Sequence, residues 1–375
     1  MLGLHYSLQS MSDRHVIENI IAPFDIRLDG TRPFDVQVHD ERMFKAVLSG
    51  GTMALGETYM AGWWDCEDLA ETVSRLIAER SEIKPLSRGF TTLWLKSLLF
   101  NLQTGKRAYQ VGTDHYDLGN NLYEAMLDPE MLYTSGVWDG ADTLAASQEL
   151  KIDRLCKQLD LKPGQRLLDV GCGWGGFMRH AARHYGVSCV GLTVSKEQAK
   201  LGREKSAGLP IEFVVEDYQL YEDDVGFDHA VSVEMIEAVG QKNFRTYFQK
   251  VHSLLKTGGC FAVQAIISPV VRPLPDPWIE KYIFPNGVLP SHPQIEVATR
   301  NLFDWQWIEN IGPDYDPTLV AWWENFDQAY PALKANNPKY DERFYRMWRY
   351  YLLMCAGLYR ARELHNWQIL LSKRD

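Results

Sequence analysis

With 375 residues, 46% of them hydrophobic, the chain can bury a large core, and global disorder is excluded. A net charge of -10 excludes a general nucleic-acid binder, because neutralising phosphates needs a cationic surface that this composition supplies at most locally. Six scattered cysteines form no CxxC pair, which fits a reducing compartment and gives no zinc signature.

The opening stretch MLGLHYSLQSMSDRH lacks a basic region followed by an apolar core. No run approaches the roughly 18 apolar residues of a membrane span, so a cytoplasmic protein is expected. Residues 1–110 mix two patterns and predict a small α+β unit. IAPFDIRLDG and PFDVQVHD alternate like strands, whereas DERMFKAVLSG and ALGETYMAGWWDCEDLAETVSRLIAER carry helical spacing. Residues 83–113 hold no acid, and Lys84, Arg88, Lys96, Lys106 and Arg107 interleave with LWLKSLLFNL. Such a segment can lie on an anionic membrane surface or form a linker helix with solvated lysines, and both readings stand.

From residue 111 onward, and clearly after Gln148, the rhythm is that of a parallel α/β sheet covered on both faces. RLLDVG, SCVGLTV, IEFVVED, DHAVSVEM and CFAVQAII read as strands, with amphipathic helices between them. Ligands in such sheets bind at the carboxyl ends of the strands. Residues 268–300 are too long and proline-rich for an ordinary connection and are expected to form a substrate-side insertion or lid.

The strongest local motif is LLDVGCGWGG, in which a strand ends at Asp169 and the glycines Gly171, Gly173 and Gly175 open a helix. A dinucleotide site also begins with GxG after a strand, and an ordinary strand-to-helix turn is the plain alternative. The WGG spacing and the preceding acid favour a different nucleoside. Thr193, Ser195 and Gln198 in GLTVSKEQ are candidate ribose ligands, and Asp217 with Tyr218 is a candidate adenine site.

HYDLGNNLYEAMLDPEMLYTSGVW, LLDVGCGWGG, GLTVSKEQ, WIEKYIFPNGVLP, DYDPTLVAWW and CAGLYRAR resemble the cyclopropane-fatty-acid synthase family. Its members are S-adenosylmethionine-dependent enzymes that alkylate double bonds in phospholipid acyl chains. The resemblance spans nearly the whole chain, including ALGETYMAGWW near its start. It implies a class I methyltransferase Rossmann-like sheet of seven strands, the last antiparallel, for which Trp367 to Lys373 is the natural candidate. Carried over, its cofactor contacts fall at Tyr133 and Thr134, at Leu167 to Gly175, at Thr193 to Gln198 and at Asp217 to Gln219.

In the family an alkene attacks the sulfonium methyl group, and a bicarbonate ion takes a proton from the new methyl to close the ring. The resemblance places that ion between Glu237 and Tyr315, with Ser135 and Gln264 where the family commonly has cysteine and histidine. Ala238 follows the glutamate where many members have histidine. Serine and glutamine still donate hydrogen bonds to an anion, and EMIEAVG with a glutamine on the next strand resembles the plant-type branch, but a base displaced by Ser135 would leave a methyl-branched or methylene chain without a ring. Glu234, three residues before Glu237, matches no fixed family acid and is read as structural or peripheral. Cys355 matches a cysteine suspected of reactivity in the family, with a buried thiol near the lipid channel as the alternative. His180 and His184 have metal-pair spacing but no third ligand, so a solvated helix face is expected.

The expected function is transfer of a methylene group from S-adenosylmethionine to a cis double bond of a phospholipid acyl chain, at the inner face of the membrane, by a homodimer. The alternatives are methylation without ring closure, a non-catalytic lipid-binding relative and a small-molecule methyltransferase.

Overall fold

The structure, a computed structural model, describes residues 12–78, 119–271 and 275–375. The expected basic segment at 83–113 and the boundary near residue 110 lie outside the described residues.

The start of the chain is more helical than the alternation predicted. α1 (Asp13–Ile21) begins under Ser12, whose hydroxyl accepts the His15 amide, and α2 (Arg42–Met60) and α3 (Leu69–Ala78) follow. Of the strands expected here only the short β1 (Gln37–Val38) forms, and it pairs antiparallel with β2 (Trp64–Asp65), which lies in a stretch expected to be helical. Pro23 and Pro33 lack ladder donors. The buried Asp35 carboxylate instead takes the amides of Arg27 and Arg32, at 2.9 and 3.1 Å, and stitches the segment into a loop.

Beyond residue 118 come α4 (Asn120–Met126) and α5 (Leu144–Gln158), the latter capped by Thr143. The sheet then builds from β3 (Arg166–Val170), β4 (Ser188–Thr193), β5 (Ile211–Val215), β6 (Phe227–Val233), β7 (Leu255–Ile267), β8 (Phe303–Asn310) and β9 (His365–Lys373). Its seven strands lie in the order β5-β4-β3-β6-β7-β9-β8. β9 is antiparallel to both neighbours, as the resemblance implies, and sits inside the sheet between β7 and β8. β8 is a strand the sequence pattern did not bring out. Its sequence FDWQWIEN alternates in burial, as a half-exposed edge does.

α6 (Gly176–Tyr185), α7 (Lys196–Lys205) and α8 (Phe244–Leu254) connect the parallel strands. The continuous apolar runs of β3 and β6 are covered by two buried clusters, one including Leu168, Phe248 and Phe261, the other Leu167, Phe177 and Val231. This layering brings the carboxyl ends of β3, β4, β5 and β6 to one rim.

The expected insertion carries α9 (Pro277–Tyr282) and α10 (His292–Thr299) and is packed down. Trp278 is buried so close to α2 that a Cβ on Gly56 would meet its ring at 2.4 Å. α11 (Tyr315–Asn336) and α12 (Glu342–Arg360) complete the core. Phe44, Tyr59 and Trp64 share one buried cluster with Trp322, Trp348 and Tyr350, so the early helices and the last two helices bury their apolar faces together. Arg346 seals that contact, donating to Tyr59 O at 2.6 Å and to Asp65 at 2.8 Å.

Candidate active site

A cavity opens at the rim, lined by Asp169, Gly171 and Gly173 at and after the end of β3, Thr193 and Gln198 at and after the end of β4, and Asp217 and Tyr218 after β5. Tyr133 and Thr134 close it from the loop before α5. Gly171 has φ +84, and a Cβ there would lie 2.5 Å from Met235, another lining residue. Thr193 Oγ1 donates to Gln198 Oε1 at 3.0 Å, which fixes the Gln198 amide at the wall.

Gly175 and Ser195 are not part of that lining, and both serve the turns behind it. Gly175 has φ +80, and a Cβ there would approach the Phe213 ring at 2.4 Å. Ser195 caps α7, accepting the Gln198 amide at 3.2 Å. Their sequence motifs located the site, but their geometry is that of supports.

Among the described residues, four acids, Asp169, Glu216, Asp217 and Glu234, line the cavity against one cation, Lys151. Burial pushes Asp169 up to about 7, opposed by the Lys151 charge. Burial also lowers Lys151 to about 8, opposed first by the charge of Glu234. Lys151 Nζ donates to Thr134 Oγ1 at 2.5 Å, and the backbone carbonyl of Thr134 accepts from Gln148 at 2.6 Å. An acid-rich wall of this kind suits a cationic ligand. Sequence reasoning missed Lys151, although the signal was present: it falls on the buried stripe Leu144, Ser147, Gln148, Ile152, Leu155 of α5.

Where β6 ends, the structure separates the two glutamates in the opposite sense to the expectation. Glu234, read as peripheral, is the centre of a hydrogen-bond cluster. Its Oε1 accepts from the Ser135 amide at 3.1 Å, Gln264 Nε2 at 2.8 Å and Asn366 Nδ2 at 2.5 Å, and its Oε2 accepts from the Tyr315 hydroxyl at 2.5 Å. Ser135, Gln264 and Asn366 are fully buried, and Gln264 Oε1 in turn accepts from Gln368 at 2.9 Å. Tyr315 is held by stacking on Tyr359 at 4.6 Å between ring centroids. The Ser135 hydroxyl turns away to Gly136 O, so Ser135 serves through its backbone. Asn366 was not expected. No motif marks it, and only the pairing of β9 with β7 puts it opposite Ile266.

Glu237 lies apart from that cluster. Its Oε1 accepts the Ile266 amide at 2.6 Å, and its buried Oε2 has no partner among the described residues. Burial, and then the charge of Glu234, push its carboxyl up to about 8. Its backbone carbonyl accepts Val288 N at 2.9 Å, which ties the insertion to the strand end.

The bicarbonate ion implied by the resemblance does not fit this arrangement. The Tyr315 hydroxyl, the Ser135 amide and the Gln264 amide, expected to cage it, already direct their donors to the Glu234 carboxylate. A further anion would stand beside two carboxyl groups without those donors, at a large desolvation cost.

Two other expectations change. Cys355 lines no part of the cavity; burial pushes its thiol up to about 12, so it is neutral. His180 is buried rather than solvated, with its ring 4.5 Å from that of the exposed His184. Among the described residues no group of three or more His, Cys, Asp or Glu is placed to hold a metal ion.

The chain is also similar to known proteins. Residues 103–369 match the family model described as mycolic acid cyclopropane synthetase. The chain is 43% identical over 359 residues to the cyclopropane-fatty-acyl-phospholipid synthase of Escherichia coli K12, covering 96% of this chain and 93% of that one. It resembles the solved cyclopropane synthase MmaA2 of Mycobacterium tuberculosis with a TM-score of 0.66 at 28% identity, over 73% of this chain and 100% of that one. It also resembles mycolic acid cyclopropane synthase CmaA1 complexed with SAH and CTAB, with a TM-score of 0.64 at 28% identity, over 71% and 98% of the two chains.

Proposed function

Because the chain belongs to the mycolic acid cyclopropane synthetase family, we propose that it transfers a methylene group from S-adenosylmethionine to a cis double bond of an unsaturated lipid acyl chain, forming a cyclopropane. The observation that carries this reading is the acid-lined cavity at the carboxyl ends of β3 to β6, one wall of which is the hydrogen-bonded Glu234 carboxylate.

The co-substrate supplies an electrophilic methyl group to the alkene. The chain's own residues bind, screen and accept a proton. Gln198 and Thr193 offer an amide and a hydroxyl for ribose, and Asp217 and Tyr218 the adenine wall. Gly171 and Gly173 let the backbone approach the ligand. Asp169 and Glu234 supply negative potential for a positively charged centre, while Lys151 is buried and depressed enough to carry only part of its charge near pH 8. Tyr315, Tyr359 and Trp322 give the base an aromatic, water-poor setting, with a cation stabilised by ring faces. No step is assigned to bicarbonate, since its expected donors are engaged.

The acyl chain is that of a phospholipid at the membrane surface. No helix among the described residues is long and apolar enough to cross a membrane. The basic residues Lys96, Lys106 and Arg107 supply surface attraction, and a homodimer is the assembly we infer from the family resemblance.

Incubation with S-adenosylmethionine and vesicles of a cis-unsaturated phospholipid, followed by proton NMR of the acyl chains, tests the reading. Upfield cyclopropane protons are expected. An exomethylene or branch-methyl signal in their place would show methylation without ring closure.

A further inference from the structure

Resting on that reading, we propose that the Glu234 carboxylate is itself the base that closes the ring, a side chain occupying the place where the family resemblance puts a diffusible anion. Three independent features of the molecule meet at this residue.

Position is the first. Of the two carboxylates at the end of β6, Glu234 lines the cofactor cavity and Glu237 does not. A base for this reaction must face the same space as the methyl donor, because the proton it removes sits on the carbon that has just arrived.

The second is the donor set. Four groups, the Tyr315 hydroxyl, the Ser135 amide and the side-chain amides of Gln264 and Asn366, point to one carboxylate. An ionised carboxylate only accepts, so it can satisfy all four. The burden is also uneven: Oε1 takes three of the bonds and Oε2 only that from Tyr315. Oε2 keeps a lone pair that no described residue engages.

Backbone geometry is the third. Glu234 has φ +52, a left-handed conformation that costs a residue with a side chain about 1 kcal/mol and glycine almost nothing. Its amide is held there by Gln264 O at 2.7 Å. A glutamate persists where glycine would be easier, and the strain places its carboxylate between the donors and the cavity.

The step balances without an added reactant. The alkene π pair forms the bond to the methyl carbon while the carbon–sulfur pair stays with S-adenosylhomocysteine, leaving a cation on the chain. Glu234 Oε2 takes a proton from the new methyl, and that C–H pair forms the second carbon–carbon bond of the ring. The resulting carboxylic acid returns its proton to solvent after product leaves.

The test uses the full chain with cis-unsaturated phospholipid vesicles, reading cyclopropane by NMR, S-adenosylhomocysteine by chromatography and S-adenosylmethionine binding by calorimetry. Wild-type cyclopropane formation should change less than about twofold between carbon-dioxide-free buffer and buffer with added bicarbonate. Glu234→Gln keeps the side-chain shape but is not a base, and should lose on the order of 100-fold in ring formation, against a weakening of S-adenosylmethionine binding of about tenfold or less from the lost wall charge. Glu234→Gly relieves the positive φ but leaves four donors without their acceptor, so its folding is checked by thermal melting, and in the folded variant added formate or bicarbonate should take up those donors and restore part of the rate. A tenfold dependence of the wild type on bicarbonate, or ring formation by Glu234→Gln within about threefold of wild type, overturns the proposal. If the wild type releases S-adenosylhomocysteine without any cyclopropane, the ring-forming reading itself fails, and the base assignment fails with it.

Discussion

The two ends of the active site are built in different ways. The cofactor end is made by neighbours in sequence: Asp169 to Gly173 run from the end of a single strand into its turn, and Thr193 and Gln198 flank the next turn. The base end is made by strangers, with Ser135, Glu234, Gln264, Tyr315 and Asn366 each arriving on a separate segment. A turn can hold a ligand through its backbone and so constrains a contiguous motif. A buried carboxylate needs several donors aimed at one point, and only tertiary structure can bring them there.

If the cofactor end depends on backbone geometry, its largest sensitivity should be to a methyl group in a turn. Gly175→Ala adds a Cβ 2.4 Å from the Phe213 ring at a residue with φ +80. Both faults act together, and a loss of about 3 kcal/mol is expected, seen as a lower midpoint in thermal or urea melts. An unchanged midpoint would break the comparison, because the turn would then tolerate what its geometry forbids.

If the base end depends on aimed donors, removing one should affect turnover more than binding. Tyr315→Phe deletes the hydroxyl on Glu234 Oε2 and keeps the ring stacked on Tyr359. Hydrogen bonds to charged groups contribute about 1.5–3 kcal/mol, so kcat for ring formation should fall on the order of tenfold or more. KM for S-adenosylmethionine should stay within about threefold, since Tyr315 lines no part of the cofactor cavity. Equal loss in both constants would mean that the two ends are not separable.

The same contrast explains what was legible in the sequence. LLDVGCGWGG and GLTVSKEQ announced the cofactor end, because strand, acid and glycine spacing are local properties that survive into the fold. The antiparallel Trp367 to Lys373 strand was also foreseen, through resemblance. β8 was not, since two tryptophans and a charged, alternating pattern do not distinguish an edge strand from core aromatics. Lys151 was legible in principle, as a cation on an apolar helix stripe. Asn366 was not, because its role is created by the register of β9 on β7. For Glu234 and Glu237, spacing carried no information about which acid would turn toward Tyr315. The positive φ of Glu234 decides that, and nothing in VSVEMIEAVG foretells it.

Glu237 sharpens the contrast inside the base end itself, as a carboxyl with one donor beside a carboxylate with four. Its folded value of about 8 stands above the ordinary 4.5, so the folded protein keeps a proton that the unfolded chain releases. Stability from this group is fully present below about 4.5, falls as pH rises toward 8 and is lost above it. Glu237→Gln has no proton to lose, and its side-chain oxygen can still accept the Ile266 amide. The stabilities of variant and wild type should therefore diverge in the variant's favour between pH 5 and pH 8, by about 1 kcal/mol for each pH unit, and level off from there to pH 9. A constant gap across that range would mean that Glu237 is ionised throughout. The contrast between a carboxyl with one donor and a carboxylate with four would then lose its electrostatic support.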